Sequence, residues 1–140
     1  MKPLDLRTTP PRPPRAELAG LIFLPRTIDK ARASLPGGNL GEYVINGFSK
    51  MMLDKLGITD EDFIIRVGAA ASDEDIAAFV RSVATPESMS AWNEYARVRE
   101  PGGGDRATAL MRYPWLNERP DLILALDILE EDDRRLFNAP

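Results

Sequence analysis

The residues best placed to do chemistry in this chain lie between positions 24 and 43. Arg26, Asp29, Lys30 and Arg32 crowd the stretch from Leu24 to Ala33, and Glu42 and Tyr43 follow ten residues on. A carboxylate or a phenol can take or give a proton, while arginine and lysine can hold a phosphate or carboxylate. At roughly 100° per residue, Ile28, Ala31 and Leu35 form an apolar helical arc. Arg32 falls beside Ile28 on that arc, and Asp29 lies at its margin one turn earlier. Arg26 and Lys30, at i and i+4, project from the other side.

Two arrangements fit this pattern. In one, Asp29 and Arg32 form a partly buried ion pair that fixes how the helix packs and also bonds the turn at Gly41-Glu42-Tyr43. In the other, Arg26, Lys30 or Arg32 binds an anionic group in a polar pocket, and Asp29, Glu42 or Tyr43 supplies acid, base or orientation. Their outward placement makes Arg26 and Lys30 the candidates for contact with a ligand or partner.

Elsewhere the chemistry is sparse. The chain has no cysteine and no histidine, which removes disulfides, thiolate metal sites, cysteine nucleophiles and Ser-His-Asp arrangements. No metal or cofactor is expected. Asp60-Glu61-Asp62 and Asp73-Glu74-Asp75 sit where helix N-termini want negative charge and lack the spacing of a calcium loop. Glu130-Glu131-Asp132-Asp133 would oppose the dipole of a helix ending there, so it is expected to begin a new turn. Gly102-Gly103-Gly104-Asp105 lacks the lysine and the preceding strand of a phosphate-binding loop. Trp92 and Trp115 are expected in the core.

The elements that must position these residues read as short helices. Apolar positions 18, 21, 22, 25, 28 and 35 recur at helical spacing, with a break near Leu24 that puts Pro25 in a first turn. Pro36-Gly37-Gly38-Asn39 ends that helix. Ser49 is expected to cap the next, and Gly57 to close it. Thr59 opens a third helix, with Phe63, Ile64 and Val67 inward. Ser72 opens a fourth, with Ile76, Phe79, Val80 and Val83 inward. Thr85-Pro86-Glu87 begins a fifth that carries Met89, Trp92 and Ala96, Asp105 caps a sixth, and Pro120-Asp121 launches a last one over Leu122 to Leu129. Without sustained period-2 alternation, the reading is all-α: one bundle of about six to seven short helices over residues 16–140. Residues 1–15 form an extended Pro/Arg-rich arm, since four prolines between Pro10 and Pro14 forbid helix interior or central strand. Its P-x-x-P spacing suits an aromatic groove, yet a strap on the protein's own surface is the expected role.

At 140 residues, with 44% hydrophobic and 29% charged, the chain matches a globular domain rather than a disordered one. No apolar run approaches a bilayer span, and Met1 to Arg15 lacks a signal-peptide core, so a cytoplasmic location is expected. The net charge of −4 argues against broad nucleic-acid binding. Residues 1–36 carry seven basic against three acidic side chains, a balance of +4 that leaves −8 for the rest. The two parts are expected to attract each other or a sister subunit, which leaves a homo-oligomer open.

The run L-P-R-T-I-D-K-A-R-A from Leu24 to Ala33, with G-E-Y at Gly41 to Tyr43, resembles the signature of a family of small bacterial proteins, domain of unknown function 5069. T-P-P-R-P-P-R from Thr9 and E-L-A-G-L from Glu17 resemble its lead-in, and L-G-I at Leu56 to Ile58 extends the likeness over residues 8–58. Beyond that the likeness lies in helical character and an acidic C-terminal end. The resemblance implies a compact helical domain and no particular reaction or cofactor. Pro36-Gly37-Gly38-Asn39 is more glycine-rich than the family's usual turn.

The expected function is a non-enzymatic binding module for a small anionic ligand or a protein partner, acting through Arg26 to Tyr43. The alternatives are a metal-independent acid/base enzyme acting on a phosphorylated or carboxylated metabolite, and a weak nucleic-acid binder using the basic N-terminal third.

Overall fold

Ala19 and Gly20 both adopt positive φ, 55° and 75°, the two-residue geometry that reverses a hairpin with the right twist. They join β1 (Glu17–Leu18) to β2 (Leu21–Ile22) in an antiparallel pair, Glu17 opposite Ile22 and Leu18 opposite Leu21. Leu18, Leu21 and Ile22 were expected at helical spacing. The turn overrides that periodicity, and the helix proper starts only at Leu24. In the computed structural model, which describes residues 1–137, this hairpin is the one sheet among the described residues, and the rest is mostly helical.

The described chain divides into two compact units, Met1–Asn93 and a second from Glu94 onward. The first holds the hairpin, α1 (Leu24–Ala33), α2 (Phe48–Leu56), α3 (Asp60–Ala69) and α4 (Asp73–Val83), and the boundary falls within α5 (Pro86–Val98). Phe23, in the left-handed region at φ 79°, swings the chain from β2 into α1, and Pro25 occupies the first turn as expected. α1 packs against α3. Phe48 stands edge-on to Phe23 (4.8 Å between centroids) and to Trp92 (5.1 Å). Trp92, fully buried, donates Nε1–H to the Ile22 carbonyl at 2.8 Å. Asn93 accepts from the Ile22 amide (3.0 Å) and donates to Gly20 (2.7 Å), so the end of the hairpin has its backbone groups answered by side chains of α5.

Several helix ends follow their chemistry; Ser49 and Val83 depart from it, and Ser72 precedes α4 without capping it through its side chain. Gly57 closes α2 at φ 78°, and the Ile58 amide reaches back to Leu53 (2.9 Å). Thr59 caps α3 by accepting from the Asp62 amide (3.1 Å), and Thr85 and Ser88 cap α5 reciprocally. Ser49 is not a cap. α2 begins two residues earlier than a Ser49 cap implies, behind Gly47, and Ser49 lies buried inside it against α1 residue Thr27. Val83, expected inward, is exposed at the end of α4.

The second unit contains α6 (Arg106–Arg112), α7 (Ala125–Phe137) and 3-10 turns at Pro101–Gly104 and Pro114–Glu118. Ala109, Tyr113, Leu116 and Ile128 form its core, with Leu110, Trp115, Leu122 and Leu129 packed around them. Asp105 caps α6 by accepting from the Ala107 amide (3.1 Å) and the Thr108 hydroxyl (2.7 Å). The final helix begins at Ala125, not at Leu122. The stretch after Pro120 is instead held as a loop by Arg106, which donates to the carbonyls of Leu116 (3.1 Å), Arg119 (3.0 Å) and Leu122.

That later start puts Glu130 to Asp133 in the middle of α7, not at the start of a new turn. There Glu131 takes Arg134 (2.6 and 2.9 Å) and Arg135 (3.2 Å) one turn on, with Arg119 at 3.6 Å. Asp132 accepts from Trp115 Nε1 (3.1 Å), and Arg135 covers the Trp115 ring at 4.8 Å. Hydrogen bonding from Arg134, helped by Arg135 and the charge of Arg119, lowers the Glu131 carboxyl from 4.5 to about 2. A depressed folded-state value means stability present above about 4.5 and lost as pH falls toward 2. Unfolding midpoints of Glu131→Gln and wild type should therefore differ most near neutrality and converge between pH 4.5 and 2. A difference that stays constant over that range would contradict the ion-pair account.

Candidate functional site

Proline has no amide hydrogen, so in Pro10-Pro11-Arg12-Pro13-Pro14 the Arg12 N–H is the one backbone donor. It donates to Asp29 Oδ2 at 2.8 Å. The Arg12 side chain then returns to the same carboxylate through Nε (3.1 and 3.2 Å) and Nη2 (3.0 Å). From there it reaches Asp73, in the first turn of α4, through Nη1 (2.6 Å) and Nη2 (3.2 Å). Asp73 thus does more than favour a helix N-terminus: it completes a bridge from arm to α1 to α4. These hydrogen bonds, led by that to Asp73, hold the Arg12 guanidinium above its usual range, against the opposing effect of burial.

Each remaining polar signature residue of α1 is engaged inside the structure, and two of them hold the same arm. Arg26, 1% exposed, donates from Nη1 to the Arg12 carbonyl (3.2 Å) and lies 5.4 Å from the Tyr43 ring centre and 5.7 Å from that of Phe23. Arg32 Nε donates to the Lys2 carbonyl (2.9 Å), while its own carbonyl accepts from the Leu4 amide (3.2 Å). Lys30, 5% exposed, has Nζ 5.4 Å from the Phe23 ring centre. Thr27 Oγ1 hydrogen-bonds the Phe23 carbonyl and Ser49 Oγ, both at 3.0 Å.

The turn after α1 serves the same arm. Leu6 and Asn39 pair through Leu6 N to Asn39 O (2.8 Å), and Asn39 N reaches Leu4 O (3.0 Å). Gly41, at φ 58°, lies so close that a Cβ there would stand 3.0 Å from the Leu6 carbonyl oxygen. A Cβ at Gly38 would meet the Ala33 carbonyl at 2.6 Å, which accounts for the glycine-rich turn. Leu6, Pro11 and Pro14 are buried, so the arm is a strap on its own unit, as expected of it.

The six candidate residues therefore separate. Asp29, Arg26, Lys30 and Tyr43 are buried, Arg32 is half-buried and Glu42 is exposed. Arg26 and Lys30 do not project outward: the whole first part of α1 is covered, so helical phase alone misplaced them. Asp29 and Arg32 approach only to 3.9 Å, and the partner that dominates is Arg12. Arg12 was the residue missed. The available signal was its position as the one donor within five residues of proline-rich chain.

The class these features define is a mostly helical protein whose N-terminal strap is locked onto its first helix by buried charge. A family model, "Domain of unknown function (DUF5069)", matches residues 8–135. The chain belongs to that family, the one its signature resembled. No curated protein matches it. No helix among the described residues is long and apolar enough to cross a membrane, and no group of three or more acidic side chains among them is arranged to hold a metal ion.

Removing Arg12 leaves Asp29, whose side chain is 6% exposed, as a buried carboxylate with its main donors gone. Because the Arg12 side chain is itself 36% exposed, the loss falls below that of a fully buried pair, at about 2–4 kcal/mol. Urea unfolding of Arg12→Ala should show this, and Arg12→Lys should recover less than half, since an ammonium cannot fork between two carboxylates. Wild-type stability in Arg12→Ala would dismiss the bridge.

Proposed function

We propose that this protein is a cytoplasmic binding module, not an enzyme, and that it takes a small anionic ligand or a protein partner where the signature segment meets solvent. An acid/base role for Asp29 is poorly supported, because both its oxygens already accept hydrogen bonds from Arg12. Tyr43 is buried with its ring against the Arg26 guanidinium. Groups held this way support a chain-positioning role over proton exchange with a substrate.

The anion reading rests on Arg32. Its Nε donates to the Lys2 carbonyl, so a half-buried arginine lies against the backbone of an exposed lysine, and Lys2 forms no ion pair among the described residues. The nearest carboxylate to Arg32, Asp29, is held by Arg12, so the charge of Arg32 is only partly offset. The partner reading draws on the exposed apolar side chains Ile65 and Val83 in the same unit.

Thermal unfolding in phosphate and in citrate, against chloride at matched ionic strength, separates the two. Specific binding at a hundredfold Kd stabilises by about 2.7 kcal/mol. That gain should vanish in Lys2→Ala, a substitution that keeps the backbone contact to Arg32. A gain that survives in Lys2→Ala clears this patch of the role, and no gain with either anion leaves the partner reading alone.

A further inference from the structure

Within the second unit, a cleft of about 280 Å³ is lined by Glu100, Pro101, Gly104, Arg106, Ala109, Pro120 and Ile123. Its construction follows from two devices. Gly102, Gly103 and Gly104 take positive φ of 69°, 67° and 89°, and a Cβ at Gly102 would press to 3.1 Å on the Ala109 amide, so this turn folds closely against the middle of α6. Opposite it, Arg106 gathers the carbonyls of Leu116, Arg119 and Leu122 and holds the loop through Pro120 and Ile123 in place. The cleft is a space between these two loops.

Its charges are unusual. The acceptors around Arg106 are neutral carbonyls, which fix the guanidinium without cancelling its charge. Asp121, the nearby acid whose carboxyl feels that charge, is bound face to face by Arg119 at 2.9 and 3.0 Å. Glu100 makes no ion pair or hydrogen bond through its side chain among the described residues, and neither does Arg106 pair with any carboxylate there. An anion and a cation thus line one cleft with apolar walls and do not meet each other.

We propose that this cleft binds a small zwitterion with an apolar side chain, an aliphatic α-amino acid, its carboxylate toward Arg106 and its ammonium toward Glu100. At about 280 Å³ the cleft lies at the lower end of the roughly 300–1,000 Å³ range of small-molecule pockets, which fits an amino acid better than a nucleotide. Pro101, Ala109, Pro120 and Ile123 supply the apolar contact. The site is separate from the patch at Lys2 and Arg32, so either can fail without the other.

The test is titration of the ¹⁵N-labelled full chain with L-leucine, N-acetyl-L-leucine and L-leucinamide. Arg106 is a poor target because its removal frees three carbonyls. Glu100→Gln is the useful variant, since that side chain supports nothing else. Leucine should shift the amides of Glu100 and Gly102 to Gly104, and each single-charge analogue should bind about tenfold more weakly. Glu100→Gln should weaken leucine by a similar factor while leaving N-acetyl-leucine unchanged. Equal binding of leucine and N-acetyl-leucine, shifts confined to other residues, or no shift at millimolar leucine would each overturn the proposal.

Discussion

The structure of the first unit depends on one carboxylate. Asp29 lies on a buried helix face, where an ionised side chain is costly unless several donors surround it. Arg12 supplies them from both its main chain and its side chain, and in doing so brings a proline-rich segment with no regular secondary structure against α1. The prolines assist from the other direction. With φ already fixed, the unfolded arm has less freedom to lose, so a few hydrogen bonds suffice to order it.

Around that contact the signature residues act as a set. Arg26 takes the Arg12 carbonyl, Arg32 takes that of Lys2, and Gly41 lets the Leu6 backbone approach where any side chain would intrude. Asp73 extends the grip to α4. A run of alternating charges that resembles a reactive pocket in sequence is, in three dimensions, the receptor for the protein's own N-terminal strap.

Much of this was legible in the sequence. Proline at the first turn of α1, glycine after α2 and the threonine before α3 encode their boundaries locally, and local chemistry decided them. The strap was legible too, because consecutive prolines exclude the alternatives. What could not be read was long-range. Helical phase put Arg26 and Lys30 on a polar side, but which side faces solvent depends on what packs there, and apolar spacing cannot report a polar contact sixty residues away such as Arg12 with Asp73. Leu18 to Ile22 misled for the opposite reason: the period was helical, and two residues at positive φ outweighed it. In α7 the late start at Ala125 reversed the meaning of the acidic run, turning an unfavourable helix end into a mid-helix set of ion pairs.

The lock can be tested at a single atom. The Arg12 amide lies outside any helix or sheet, and its protection from solvent exchange depends on the Asp29 carboxylate. Native-state hydrogen exchange should find it opening only with α1, and so exchanging about as slowly as the amides of Ile28 and Ala31. An Arg12 amide that exchanges at the rate of an unstructured chain, while α1 stays protected, would contradict the account.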